Sequence, residues 1–442
     1  MKQTILLLAF LSPLLAEIPA SDLSSDHASY DGDTLILSGH VQVEHDLGTL
    51  KADKARLNKG DSPYHFSTIQ LDDQVSIFFD TQGNLYAENA FIDMETLSGT
   101  FTSKDYPIIY KGTDYDLYCK KMTLSLEETD RHTSIKNITA DGDVHIENHN
   151  GVTIDADHTS YSQNILMATG ESPCILKQEE DQVDAKTIYY DLDTTLLTLE
   201  DPKGRLSSLF FPDDPQRHCN FSSRLLVWDQ KQDLLTLKRD ISIEDPAFGK
   251  LEGDHLFSLK ERKLFGKRTL QSIETEGKTT LTTHDNETLI NYGTMRLDRD
   301  ELVITCQNPP DQRLKYEKED LLLFADSARI EYAFQGLEMK PHAIYLDGNV
   351  QILSHDLSRP LRKGIADHIF HDPVTKQTHL IADEGSHVLF WDEEKKLSLS
   401  APEILIEHGE EDLVKGLGTV RFTFTEEEGK KIDELLHHKG DK

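Results

Sequence analysis

Four aspartates share one setting. Asp53, Asp157, Asp326 and Asp367 each follow an alanine, in Leu50-Lys51-Ala52-Asp53, Ile154-Asp155-Ala156-Asp157, Leu323-Phe324-Ala325-Asp326 and Ile365-Ala366-Asp367. Repeated carboxylates could hold calcium or do acid–base work. A calcium loop supplies several oxygen donors from a D-x-D-x-D-G run, and none surrounds these four, so they are read as turn caps or solvent-facing groups. The 20 histidines invite a metal site. His145 with His149, His355 with His368 and His371, and His437 with His438 come nearest to ligand spacing, yet no Cys or Glu constellation accompanies them. Cys119, Cys174, Cys219 and Cys306 lie far apart and form no Cys-x-x-Cys pair. In an oxidising compartment they could form one or two disulfides, with buried thiols as the equal alternative. No Ser-His-Asp signature, phosphate loop or dinucleotide fingerprint is present. The expectation is no catalytic residue, no metal and no cofactor.

The elements around these residues carry more information. Leu35, Leu37, Gly39, Val41 and Val43 alternate with mostly polar or small residues, and the phrase returns as Ile138, Ala140, Gly142, Val144, Ile146 and as Ile344, Leu346, Gly348, Val350, Ile352. Alternation puts each set on one face of a strand. A mid-strand glycine packs nothing and loses backbone entropy, so Gly39, Gly142 and Gly348 mark a bend, a bulge or a close approach. A strand curling around what lies against its face and an ordinary bulge at a sandwich corner both fit. The Ala-Asp phrase follows each copy, and Leu323–Ile330 nearly duplicates Leu50–Leu57. Weaker versions surround Gly170, Gly277 and Gly418. Between Gly39 and Gly142 lie 103 residues of offset, and between Gly142 and Gly348 206, which places a degenerate copy near Asp245, where Ile241 and Ile243 alternate without a glycine. Self-similarity of this kind indicates one supersecondary unit stacked on copies of itself. The rest reads as short strands separated by Asp/Gly/Asn/Ser/Lys turns, an all-β pattern. Only the end has helical signals, with Thr425 and Glu428 resembling a capping box and Ile432, Leu435 and Leu436 at helical spacing.

At 442 residues the chain is long for one core, which suggests two to three domains or one elongated stack. Alternation lapses in the proline-bearing stretches 202–215 and 308–320. These are the expected linkers, dividing the chain into 21–201, 216–307 and 321–424, with a charged helical tail at 425–442. Met1 and Lys2 precede an apolar run from Ile5 to Ala16, with Ala16 or Ala20 available for cleavage, so residues 1–20 read as a secretory signal peptide. A buried strand or uncleaved anchor is the alternative, but the run falls short of the roughly 20 residues a spanning helix needs. With 46 basic against 79 acidic side chains, net charge −33, and no basic block, nucleic acid and anionic membrane surfaces are excluded as main partners.

Tyr30 to Leu57, carrying Leu35-x-Leu37-x-Gly39-x-Val41-x-Val43 and then Leu50-x-Ala52-Asp53, resembles the OstA-like module of the periplasmic lipopolysaccharide-transport bridge, the LptA family. Residues 138–161 and 344–370 carry the same pattern, and 323–330 its second half. The resemblance implies an elongated, open β-jellyroll of stacked antiparallel strands, with OstA-like modules at 21–201 and 321–424 and a degenerate β module between them. It implies a non-enzymatic periplasmic protein whose apolar groove holds the acyl chains of lipid A while lipopolysaccharide passes to the outer membrane. The implied partners are lipopolysaccharide, the inner- and outer-membrane components of that machinery, and further copies joined edge to edge. The groove would be lined by Leu35, Leu37, Val41, Val43, Ile138, Val144, Ile146, Ile154, Leu346, Val350 and Ile352. Phosphorylated head groups would be repelled by the acidic surface and project beyond the rim. The chain departs from the pattern in its length, in having no barrel-forming strands after residue 424, and in carrying the Gly-Asn-Val form only at Gly348.

Two other classes compete. One is an exported β-solenoid whose parallel rungs bind or cleave carbohydrate through an Asp-lined cleft. The other is a structural envelope protein that binds proteins through exposed edge strands. Irregular repeat lengths and short hairpin-like turns favour the lipid bridge.

Overall fold

The computed structural model describes residues 23–45, 48–60, 66–79, 83–113, 115–129, 132–149, 151–208, 214, 217–264, 267–318, 321–336, 338–354, 362–393, 396–409, 412–424 and 426–430. The expected leader at 1–20 and most of the expected helical tail lie outside them. Among the described residues the fold is all-β and antiparallel, a jellyroll of bent strands with one short helix at 426–430. Every strand pairing described is antiparallel, which replaces the parallel rungs of the solenoid alternative.

The chain divides into two compact units, residues 1–150 with 157–163, and 151–156 with 164–442. The division does not fall at 202–215 or 308–320. Lys203–Ser207 pairs with strands on both sides, and Leu314–Lys318 does the same, so the sheets run through both proline-bearing stretches.

Within each unit the longest strands serve two sheets. In the first unit, Thr34–His45 pairs its first half with residues 54–58 and its second half with 48–52, skipping register between Ser38 and Val41. Repetition of that bend builds one sheet through 68–72, 89–93, 98–102 and 121–125 and another through 75–79, 83–87, 108–111 and 115–119. The second unit follows the same rule. Its first sheet runs from 187–191 through 225–229, 294–298 and 327–331 to 403–407 and 413–417. Its second runs from 203–207 through 241–245, 288–291 and 350–354 to 388–392 and 397–401.

Two kinds of corner make the bends, and they are the two sequence phrases. At Gly39-His40, Gly142-Asp143 and Gly348-Asn349 both residues take positive φ, 75° and 46°, 77° and 50°, 79° and 48°. In the first and third copies this two-residue bulge faces a single residue of the next strand, because register jumps from Ser38↔Lys54 to Val41↔Ala52 and from Asp347↔His368 to Val350↔Ala366. The single residues are Asp53 and Asp367. The Ala-Asp strand turns the corner by exchanging faces: Leu50 and Ala52 point inward before it, Ala55 and Leu57 after it. Ala87-Glu88-Asn89-Ala90 is another such corner, with Glu in the aspartate's place.

The degenerate middle copy sits at Arg239-Asp240, six residues before Asp245, where φ is 61° and 48° and Ile241 begins the second half-strand. Asp245 is buried and receives the Ala247 amide and the Ser208 hydroxyl. At the end of the chain, Thr425 lies outside the described residues, so only one half of the expected capping box is described, Glu428. Its carboxylate is held by Arg421 at 2.6 Å and by the buried Ser400 at 2.9 Å.

Candidate functional site

The bend gives each unit an inner face shared by two sheets. Of the residues expected to line a groove, Leu37, Val41, Val43, Ile138, Val144, Ile146, Ile154, Leu346 and Val350 are buried, while Leu35 and Ile352 are half-buried. Fully burying one such side chain contributes about 1.5–3 kcal/mol, so these rows are also the main source of the fold's stability.

The strand-bend glycines admit a neighbour that a side chain would exclude. A Cβ on Gly39 would lie 2.4 Å from Asp26 Oδ2, and one on Gly348 2.5 Å from Asp326 Oδ2; at Gly142 the neighbour is the Lys120 side chain at 3.3 Å. The neighbour's own amide donates to the glycine carbonyl, Asp26 to Gly39 at 2.8 Å, Lys120 to Gly142 at 3.1 Å and Asp326 to Gly348 at 3.0 Å. Its side chain then engages the residue after the glycine. Asp26 meets His40 at 2.8 Å, Lys120 meets Asp143 at 2.5 Å, and Asp326 accepts from Asn349 at 2.9 Å. Where Arg239 replaces glycine, Arg224 plays the neighbour's part, its amide on the Arg239 carbonyl at 3.0 Å and its Nε on Asp240 at 2.7 Å. One geometry is kept with the charges exchanged.

The Ala-Asp carboxylates therefore stand at corners. Asp367 accepts the Asp383 amide at 2.9 Å, Asp326 takes Asn349, and Asp53 and Asp157 are exposed. A second Asp–His relation appears in two copies: His158 Nδ1 bonds Asp141 at 2.6 Å and His368 Nδ1 bonds Asp347 at 2.7 Å, each aspartate immediately preceding the glycine. His368 also reaches Asp383 at 3.0 Å, and these bonds to Asp347 and Asp383 hold its imidazolium form to higher pH than usual. Among the described residues no group of three or more His, Cys, Asp or Glu side chains is arranged to hold a metal ion. His145 stacks on Tyr118, His149 is 3.7 Å from Asp116, and His355, His437 and His438 lie outside the described residues. The four cysteines are buried and no two are joined; burial pushes the Cys119 and Cys306 thiols up to about 12, so they are protonated at neutral pH.

Sequence reasoning missed a third repeated carboxylate. Asp93, Asp191, Asp229, Asp298 and Asp372 end first-sheet strands, accept the amides two and three residues on, and are followed at the fourth by Leu97, Thr195, Asp233, Leu302 or Lys376 in positive φ. These are Asx turns closing the hairpins. The backbone bonds hold the Asp93, Asp191 and Asp372 carboxyls below their usual range. An Asp at the end of an alternating run, five positions before the next run, was the readable signal.

The second unit's two sheets meet again at their far ends through polar contacts. The Met339 amide donates to the Ala247 carbonyl at 2.9 Å, Lys340 pairs with Asp285 at 3.0 Å, and Arg362 joins Asp392 at 2.8 Å and Asp412. Asp392 is buried, and Asp412 opens the edge strand Leu413–Leu417. His371, Thr378 and His408 continue the series through two 2.8 Å bonds, with His408 3.6 Å from Asp412. Buried Glu287 pairs with Lys318, and burial, with Glu287 alongside, pushes the Tyr316 phenol far up. Beneath these contacts lies a narrow cleft between the sheets, lined by Leu281, Leu289, Tyr316, Ile330, Tyr332 and Ile344.

No family model and no curated protein matches the sequence. Among solved structures, the chain is similar to LptH, described as the LptA-homologous periplasmic component of the conserved lipopolysaccharide transport device from Pseudomonas aeruginosa. The likeness has 13% identity and a TM-score of 0.24 and covers 27% of this chain and 83% of that one.

Proposed function

We propose that the inner faces take up the acyl chains of lipopolysaccharide, and that the protein is a non-enzymatic periplasmic carrier working between inner- and outer-membrane transport components. The observation that carries this reading is the continuity of the apolar inner face across successive bent strands in each unit. Opposite the corners the sheets of the second unit are held by hydrogen bonds and ion pairs rather than by continuous strands. Such a body opens along one side and hinges on the other.

The energetics favour exchange. Parting the sheets exposes side chains worth about 1.5–3 kcal/mol each, and an acyl chain laid between them returns about 0.8 kcal/mol per buried methylene. Several chains of a dozen or so carbons replace the lost contacts without a preformed cavity. The acidic surface leaves phosphorylated head groups in solvent. The bulk of the chain is then sheet that excludes water from the lipid tails, and no step of chemistry is asked of it.

Native mass spectrometry tests the reading. The purified protein is offered intact lipopolysaccharide or the same glycan stripped of its acyl chains. The reading expects a stoichiometric complex with the first only. Equal binding of both, or of the glycan alone, overturns it in favour of a carbohydrate-facing or purely structural protein.

A further inference from the structure

Asn291 ends the strand Thr288–Asn291 on the inner face of the second unit, fully buried, with neither Oδ1 nor Nδ2 hydrogen-bonded among the described residues. Its register partner Thr279 is equally buried, but that hydroxyl is given to Thr275 Oγ1 at 2.8 Å. One same-face step toward the open side, Leu281 faces Leu289, and these two line the inter-sheet cleft. One step further stands Glu287 with Lys318. From corner to rim the order is amide, apolar wall, ion pair, over about 13 Å at the rise of a β-strand.

An amide buried with both atoms idle is costly, and a leucine would fill the same position without that cost. The group that answers both atoms is a hydroxyl, which donates to Oδ1 and accepts from Nδ2. An ester oxygen accepts only and leaves Oδ1 idle. A carboxylate or phosphate also accepts only, and pays a large desolvation cost besides.

We propose that Asn291 is the recognition residue of a site for an acyl chain that carries a hydroxyl group part-way along. The chain enters as the sheets part along the narrow cleft walled by Leu281, Leu289, Ile330 and Ile344, which in the closed form does not extend to Asn291, and its polar end stays at the Glu287–Lys318 rim. The site rests on the acyl-chain reading above. The distance from rim to amide corresponds to about ten carbons of extended chain.

The test offers 10-hydroxyoctadecanoic acid and octadecanoic acid, each delivered from cyclodextrin, to the wild-type protein and to Asn291→Leu, with calorimetry as readout. Wild type is expected to bind the hydroxylated chain about fivefold more tightly, the worth of one net hydrogen bond. Asn291→Leu binds both chains alike, at the wild-type affinity for octadecanoic acid, and melts at a higher temperature. Binding of both chains without discrimination by wild type, or discrimination that survives in Asn291→Leu, overturns the site and leaves the acyl-chain reading standing. Binding of neither chain by wild type overturns both.

Discussion

Gly348→Ala is the substitution whose cost follows most directly from the corner geometry. The residue has φ 79°, and a Cβ there would lie 2.5 Å from Asp326 Oδ2 and 2.9 Å from Asp326 Cβ. Left-handed backbone costs an alanine about 1–2 kcal/mol. Overpacking adds about 1–3 kcal/mol, because the Asp326 Cβ cannot swing away as its carboxylate can. A loss of about 3 kcal/mol is expected. Gly336 separates the two terms, since it has φ 68° and nothing within 4 Å, so Gly336→Ala should cost only the backbone term, about 1 kcal/mol. Both tryptophans, Trp228 and Trp391, lie in the second unit with these glycines, so urea unfolding followed by tryptophan fluorescence reports both variants in one body. Adding Asp326→Ala removes the oxygen contact but not the Cβ, and should recover about 1 kcal/mol in a double-mutant cycle. If Gly348→Ala costs no more than Gly336→Ala, the claim that these glycines exist to admit the neighbouring side chain is wrong.

Burial, then the charges of His408 and Lys318, hold His371 down to about 4, against 6.5 for the unperturbed ring. Between those values the unfolded state binds the extra proton, so stability of the second unit falls as pH drops through that window, by about 2 kcal/mol after allowance for partial solvent access. His371→Phe should flatten that slope in urea titrations. His368 has the opposite sign: its raised value means stability present below the unfolded value and lost as pH rises through the folded one, and His368→Gln should abolish that alkaline loss. Replacing Asp191 by alanine removes an acceptor whose stabilisation is present above the ordinary carboxylate range and lost on acidification; the urea midpoint should drop at pH 7, and its distance from wild type should narrow as the pH is taken below that range. Arg362→Met removes the cation from buried Asp392 and should cost about 3 kcal/mol in the same assay, far more than removal of the exposed Lys430–Glu426 pair of the same unit.

The inner rows were legible in the sequence because a half-buried strand must alternate, and burial at Val41, Val144 and Val350 follows from period two alone. The glycines were legible as bends, but what fills the space beside them was not. Asp26, Lys120 and Asp326 approach from breaks between other strands and differ in charge, so no single residue type repeats. The middle corner lies six residues before the point that a 103-residue spacing gives, and Arg239 holds there the positive φ that glycine takes in the other copies. The linkers misled for a related reason. A corner carrying Pro202 or the 308–313 loop interrupts alternation as a domain boundary does, although the strands on either side belong to the same sheets. The polar contacts that close the far ends had no sequence signal, because Arg362, Asp392 and Asp412 meet only after each strand has been bent and stacked.

Site-specific photocrosslinking addresses the central claim most directly. A photoactivatable residue is placed at Val41, Val144 or Val350, all inward and buried, and at the outward, exposed Lys51, and lipopolysaccharide is offered to each protein. Crosslinks to the lipid at the three valine positions and none at Lys51 are predicted. Crosslinks at Lys51 with none at the valines would place any bound lipid on the outer surface and contradict the account.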